Sequence, residues 1–326
     1  MRSQQRTGHS IRKFPLKYKH ILKKTGSVLL KDNIFFQTVV RLLKKRAIKL
    51  PNFKQAVNIA HNQLSSMSFL NFPTKLHRDA AETANEYFLN ISDIDTVLIV
   101  NSCARGQAVA ESDLDLAILV APGTSDNEMK RLHEAWQSYS ANAPAILNFR
   151  QSSPFAHIHL DIIDGKYIPG IIDAGEPIDY FEVEIGNQIH YSAPMGPAGS
   201  YFQELKQRWL PYYDDDLRLK RLFAVKNACN YDLDHIPFLI NRELYFHAFY
   251  ILTEAFRKYL QAIFMANKIY PIAYNKWIKE QIVKWLNKPG LYPKLLPILS
   301  VSNIESNEMS EKALMLRELL MTIADE

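Results

Sequence analysis

The residues in this chain best suited to chemistry are two aspartates, Asp113 and Asp115, which open the apolar run in the segment SDLDLAILV. Side chains alternate between the two faces of a β-strand, so both carboxylates lie on one face and Leu114 lies on the other. Two carboxylates this close repel each other unless a cation lies between them or water screens them. A hard divalent ion such as Mg²⁺ prefers such oxygen ligands. The spacing therefore predicts a Mg²⁺ site, and solvated acids on an exposed strand edge are the simpler alternative.

A second group of polar residues lies in the turn that follows the apolar run VLIV at 97–100. Ser102 offers a hydroxyl there, and Arg105 offers a guanidinium whose fork of donors matches phosphate oxygens. A strand, turn and helix in succession also present backbone N–H groups at a helix N-terminus, where phosphate is favoured. Beside a carboxylate–Mg²⁺ site, this turn is expected to hold a nucleoside triphosphate.

The segment NSCARGQAVAESDLDLAILV resembles the signature of the DNA polymerase beta-like nucleotidyltransferases. That signature is Gly-Ser, often followed by Ala-Arg-Gly, and then Ser-Asp-x-Asp on the next strand. The residues that match it are Ser102, Ala104, Arg105, Gly106, Ser112, Asp113 and Asp115. Asn101 stands where the family has glycine, and asparagine is among the non-glycine residues that most readily adopt a left-handed backbone. The resemblance covers about residues 73–165.

The family usually has a third carboxylate on a neighbouring strand, and the segment HIHLDIIDG offers two candidates. Strand alternation favours Asp161, which shares a face with His157 and His159. Asp164 is the competitor, but its place beside Gly165 is typical of a turn. The two histidines with Asp161 also suggest a zinc site. Without a further soft ligand, they are interpreted as ordinary strand residues that face the cleft.

The resemblance implies nucleotidyl transfer, with two Mg²⁺ ions (or Mn²⁺) held by Asp113, Asp115 and Asp161. An acceptor hydroxyl would attack the α-phosphate of the nucleotide, with ATP as the expected donor, and pyrophosphate would leave. Asp161 would hold the second metal or accept the proton of the hydroxyl. The expected acceptor is a small molecule or a protein. The expected nucleotide contacts are Asn101, Ser102, Arg105, Ser112 and Lys276.

Charge is distributed unevenly along the chain. Residues 1–50 contain 14 Lys and Arg and one acid, a net charge of +13, whereas the whole chain carries +5. This basic N-terminal arm suggests a second function, an RNA-directed nucleotidyltransferase, because basic segments bind nucleic acid. A solvated arm, an organellar presequence or a start codon assigned too far upstream would look the same. Asn101 suggests a third function, a non-catalytic module that binds nucleotide and regulates.

Composition indicates a globular protein of the reducing cytoplasm with no membrane partner, because no stretch approaches the roughly 18 apolar residues of a membrane span. Cys103 and Cys229 are too few for a disulfide framework. The predicted fold class is α+β, a polymerase beta-like domain with a mixed sheet and helices, followed by an all-α bundle. The expected divisions are the basic arm at 1–50, the nucleotidyltransferase domain at 51–195 and the helical C-terminal domain at 196–326.

The patterns predict strands at 96–100, 113–120, 145–149 and 157–163. Helices are expected at 52–67, 73–90 and 126–142, and residues 165–200 are interpreted as loops with a possible extra strand in IDYFEVEIG. Further helices are expected at 214–231 and 236–268, then from Pro271 and, with Ser310 as its cap, at the C-terminus.

Two features of the helical half are candidate substrate contacts. A polar stripe at helical spacing contains Glu243, His247, Tyr250, Glu254 and Lys258. A solvated face with a Glu254–Lys258 ion pair is the alternative. Lys276 either reaches phosphate or is an exposed lysine beside Trp277, interpreted as a core anchor.

Overall fold

The computed structural model describes residues 70–324, which have an α+β fold. The expected helix at 52–67 and the basic arm lie outside the described residues. Four strands form one small mixed sheet in the order β3-β2-β1-β4. They are β1 (Ile94–Ile99), β2 (Leu114–Val120), β3 (Ile158–Ile163) and β4 (Ala193–Pro194). β2 runs parallel to β3 and antiparallel to β1, and β4 adds a short antiparallel edge to β1.

Two helices of the N-terminal half begin at side-chain caps that the sequence encodes. Thr74 precedes α1 (Lys75–Phe88), and its hydroxyl oxygen accepts the N–H of His77. Ser125 and Glu128 form a capping box at the start of α3 (Asp126–Ser140). A single turn, α2 (Asn101–Ala104), separates β1 from the loop before β2. The expected helices at 73–90 and 126–142 and the strands around 96–100, 113–120 and 157–163 are confirmed, with small differences at their ends.

The expected strand at 145–149 is wrong, because these residues form helix α4 (Pro144–Arg150). Pro144 is the first helical residue, where its fixed φ suits a helix and its missing N–H is not needed. The buried side chains Ile146 and Phe149 are three residues apart, which is helical spacing. The apolar run is short, so its period was ambiguous.

The single helix expected at 236–268 is also wrong. One helix, α7 (Asp215–Asn241), continues through Pro237, and a second, α8 (Tyr245–Ala266), begins after a turn. Glu243 in that turn has φ 60°, which a continuous helix does not allow. α7 and α8 pack against each other and against α11 (Glu308–Met321), forming the main core of the helical half.

Three smaller expectations in the C-terminal half are wrong. The segment IDYFEVEIG contains the helix α5 (Phe181–Ile185), which a π-helical turn extends over Gly186–His190. The helix expected from Pro271 begins later, as α9 (Ile278–Glu280) followed by a π-helical turn at Gln281–Trp285. Ser310 lies inside α11 rather than at its cap. Two further short helices are α6 (Ser200–Trp209) and α10 (Tyr292–Leu295).

The sheet and the helices that follow it share a core within one compact unit, residues 69–326. Leu98 and Leu119 of the sheet pack in one cluster with Phe202 of α6 and with Tyr270. Asp95 of β1 accepts the backbone N–H groups of Tyr201 and Phe202 and so caps α6 from another element. No helix within residues 70–324 combines the length and apolar character that a membrane crossing requires.

Candidate functional site: acids on the sheet beside a left-handed turn

The three predicted carboxylates are carried by two adjacent parallel strands. Asp115 on β2 pairs with His159 on β3, and Ala117 pairs with Asp161. Because paired residues of parallel strands point to the same side of the sheet, Asp115 and Asp161 share a face. Asp113 precedes β2 by one residue, and its Oδ2 lies 3.4 Å from the Nε2 of His159. Asp161 is exposed and Asp115 is partly buried, so this face is open to ligands.

The carboxylates repel one another, which raises the cost of ionising the central one. Burial raises the pKa of Asp115 to about 6, and the neighbouring Asp113 adds to the rise. Asp161 contributes in the same direction, whereas a hydrogen bond from the Asn101 side chain and the nearby His159 act in the opposite direction. A cation beside Asp115 would remove this penalty, because it would stabilise the ionised carboxylates.

Metal fit can be judged from the ligand chemistry. Within residues 70–324, no group of three or more His, Cys, Asp and Glu side chains that could hold a metal ion is present. The acids nevertheless offer the oxygen ligands that Mg²⁺ takes, and Mg²⁺ keeps several waters and binds through one or two carboxylates plus substrate phosphates. The chemistry of Asp113 and Asp115 therefore suits Mg²⁺ that arrives with a nucleotide. Asp164, the competing acid, forms a turn in which its carboxylate accepts the N–H of Lys166.

The turn before these acids begins with a left-handed residue. Asn101 has φ 54°, in the left-handed region where glycine is the usual residue. Its side chain also lowers the pKa of Asp115, an effect that glycine, which has no side chain, would not have. α2 is a single turn of four residues, too short for the phosphate site at a full helix N-terminus that the sequence suggested. The donors here are the amides of the turn and the hydroxyl of Ser102.

Arg105 is held by amide side chains from two distant parts of the chain. Its Nε donates to Gln107 Oε1 and its Nη1 donates to Asn187 Oδ1, both at 3.2 Å. Gln107 in turn donates to a carboxylate oxygen of Glu280 at 2.5 Å, and Asn187 donates to the backbone oxygen of Ile272 at 2.9 Å. An arginine has five N–H donors, so the guanidinium is oriented while donors remain for phosphate oxygens.

His77 supports the loop that carries the first acid, and sequence reasoning missed it. Its Nε2 lies 2.9 Å from the carbonyl oxygen of Ser112, and its Nδ1 lies 2.8 Å from the hydroxyl of Thr74. Since a carbonyl only accepts, Nε2 carries the proton and the Thr74 hydroxyl donates to Nδ1. Burial lowers the pKa of His77, which favours this neutral form. The hydroxyl oxygen of Ser112 accepts the N–H of Val109, so Ser112 shapes the loop as well.

Lys276 and Trp277 lie on the loop that joins Tyr270 to α9, and both are exposed. The expectation that Trp277 anchors the core is therefore wrong. The ammonium of Lys276 makes no ion pair with any described residue, and it is available to a phosphate. Gln107, Asn187 and Glu280 also belong to this site and were missed, because they lie far apart in the sequence and have no motif.

The polar stripe of the helical half divides into an exposed part and a buried part. Glu243, His247 and Tyr250 are exposed, as a solvated face requires, whereas Glu254 and Lys258 are buried. Lys258 Nζ pairs with Asp232 at 2.5 Å, and Glu254 pairs with Arg257 at 2.7 Å. The expected Glu254–Lys258 pair is therefore replaced by a Glu254–Arg257 pair within α8 and a Lys258–Asp232 pair that joins α8 to α7.

No protein-family model matches this chain, and no curated protein sequence is significantly similar to it.

Proposed function

We propose that this chain is a Mg²⁺-dependent nucleotidyltransferase with a polymerase beta-like catalytic half. It would move a nucleoside monophosphate, with ATP as the expected donor, to a hydroxyl of a small molecule or protein and release pyrophosphate. The observation that carries the proposal is the shared sheet face of Asp113, Asp115 and Asp161, beside a turn whose first residue is left-handed. The buried, unpaired cysteines suit a cytoplasmic protein.

The acids have distinct tasks in this proposal. Asp113 and Asp115 would hold Mg²⁺, which when bound neutralises the charge of the triphosphate. Asp161 is exposed at the face of β3 and would accept the proton of the attacking hydroxyl or complete the second metal position. The raised pKa of Asp115 supports this division, because a carboxylate that is costly to ionise alone gains most from a cation.

The cations around the acids would bind the departing phosphates. Arg105 is oriented by Gln107 and Asn187, so its free N–H donors are held ready and lose little entropy on binding. Lys276 would add a mobile positive charge from the opposite loop. The hydroxyl of Ser102 and the amides of the turn would complete the phosphate contacts.

The test is incubation of the full chain with each α-labelled nucleoside triphosphate, Mg²⁺ and a cell extract. The expected result is pyrophosphate release and transfer of label to a small-molecule or protein fraction. Asp113→Asn should abolish both. Glu111→Gln, which changes an exposed acid of the same loop, is the matched control and should retain activity.

Two other outcomes separate the competing functions. Label confined to RNA, with binding that weakens steeply as salt rises and is lost on removal of residues 1–50, would favour an RNA-directed enzyme. Nucleotide binding without turnover with any acceptor would favour a regulatory module.

A further inference from the structure

Trp277 combines exposure with an unfavourable backbone, and the residues around it do not explain why a tryptophan is present. Its φ of 56° and ψ of 24° are left-handed, and for a bulky residue this conformation is a genuine outlier. The residue is 47% exposed. Within residues 70–324, its indole makes neither a hydrogen bond nor a contact with another aromatic ring. A large apolar side chain is thus left about half exposed to water at a conformational cost.

The loop that carries Trp277 is fixed by one buried amide. Gln281 has no exposed surface, and its side chain makes three hydrogen bonds to this loop. It accepts the N–H of Ile272 and donates to the carbonyl oxygens of Ala273 and Lys276, each at 2.9 Å. Strained backbone of this kind persists where the surrounding structure over-determines it, and it concentrates at ligand-binding sites.

The same loop is tied at both ends to the residues that hold Arg105. At one end, the backbone oxygen of Ile272 accepts a hydrogen bond from the side-chain amide of Asn187. Beyond the other end, the carboxylate of Glu280 accepts a hydrogen bond from the side-chain amide of Gln107. Asn187 and Gln107 are the two partners of Arg105. Trp277 therefore belongs to the loop whose two ends are hydrogen-bonded to the partners of Arg105, a few residues before Glu280.

We propose that Trp277 is a stacking platform for a planar heteroaromatic ring at the rim of this site. The ring is the nucleobase of the triphosphate whose phosphates Arg105 binds, so the inference rests on the proposed function and deepens it. Stacking on tryptophan tolerates different bases, because every base has a π-face. This wall would supply affinity for the base, and selection among bases would come from other contacts.

The decisive experiment separates the base from the phosphates. Isothermal titration calorimetry of the full chain with Mg²⁺ measures binding of α,β-methylene-ATP and, separately, of inorganic tripolyphosphate. Trp277→Asn removes the ring but suits the left-handed backbone. It should weaken binding of the ATP analogue about 5- to 100-fold, as expected for one stacked base, and leave tripolyphosphate binding unchanged. Trp277→Phe should retain most of the affinity.

A second exposed ring provides the control, Phe246 of α8, which is 78% exposed. Phe246→Ala should change neither dissociation constant. Unaltered binding of the ATP analogue by Trp277→Asn, or equal losses for both ligands, would overturn the stacking proposal and leave the nucleotidyltransferase proposal standing. Failure of the unmodified chain to bind either ligand would overturn both.

Discussion

The side chain of Asn101, at the left-handed turn, lies beside the carboxylate of Asp115 on β2 and lowers its pKa, opposing the rise that burial and Asp113 cause. Asn101, which stands where the resembled signature has glycine, therefore acts on one of the proposed metal ligands. Glycine at this position would supply the backbone shape alone. Asparagine supplies that shape together with a donor that stabilises the ionised acid.

Substitution of Asn101 tests the backbone requirement. Asn101→Ala should lower the free energy of unfolding by about 1–2 kcal/mol relative to Asn101→Gly, because a Cβ is unfavourable in left-handed backbone. Urea denaturation of the two variants measures the difference. Ser102 lies in the following helical turn and is the matched control. At Ser102 the order should reverse, with the alanine variant more stable by roughly 0.5–1 kcal/mol. The same order at both positions would contradict a left-handed turn.

The raised pKa of Asp115 should make the free energy of unfolding depend on pH. Burial and Asp113 raise its pKa to about 6 in the folded protein, above the unfolded value, so the folded state holds this proton more tightly. The contribution of Asp115 to stability is therefore present below pH 4 and lost as pH rises towards 6, by about 2–3 kcal/mol. Asp115→Asn should remove this loss, so the variant gains stability relative to the unmodified chain between pH 4 and 7.

Magnesium should act on the same acid. Added Mg²⁺ should raise the free energy of unfolding of the unmodified chain at pH 7, where the acids are ionised, and should do so less at pH 5. Asp115→Asn should show little response at either pH, whereas Glu111→Gln should respond as the unmodified chain does. Stability that is indifferent to Mg²⁺ in all three proteins would argue against a metal on this face.

Substitution of His77 should destabilise the protein, because both the volume of its ring and its N–H donor contribute to the fold. His77→Ala leaves a cavity against Phe149, whose ring centroid lies 4.7 Å away, and removes the donor to Ser112. It should lower the free energy of unfolding by about 2–4 kcal/mol, and His77→Gln, which can still donate, should cost less. Because burial lowers the pKa of His77, its contribution is present above pH 6.5 and lost as pH falls. In His77→Gln that acid-side loss should be absent.

The buried charge network of Arg221 should be among the most sensitive parts of the helical half. Arg221 binds Glu182, which has no exposed surface, and Asp179, which is nearly buried. Arg221→Met leaves the buried carboxylate of Glu182 without its cation, with only the donors of Tyr213 and Gln261, and should cost about 3–5 kcal/mol. Lys75→Ala, which breaks the exposed pair with Asp79, should leave stability unchanged within error. Guanidinium chloride denaturation compares the two.

Local patterns were sufficient to predict which acids share a sheet face, but not which distant residues surround them. The alternation around Asp113 and Asp115 and the segment at 157–163 fixed which side chains share a face, because the strand period is two. The left-handed turn at Asn101 was also readable from a motif. In contrast, Gln107 and Glu280 meet across 173 positions, and no local pattern encodes such a contact.

The errors have identifiable physical causes. The run at 145–149 is too short to reveal its period, and Pro144 was the signal that should have decided for a helix. Because they are charged, Glu254 and Lys258 were interpreted as substrate contacts or, alternatively, as an ion pair on a solvated face. Each is instead buried with a partner of opposite charge on the same or the neighbouring helix, and only the tertiary structure supplies that partner.

Strand β1 depends on partners that come much later in the chain. Asp95 caps α6, and Tyr270 completes the core under β1, which has a consequence for protein synthesis. During translation, β1 emerges from the ribosome long before α6 and Tyr270 do. The apolar face of the nascent sheet therefore stays exposed, and prone to aggregation, while the rest of the chain is translated. A stop codon at residue 195 would leave the polypeptide at that stage permanently, and inclusion bodies are its expected fate. Chaperones that bind emerging polypeptides would protect the intact product until Tyr270 arrives.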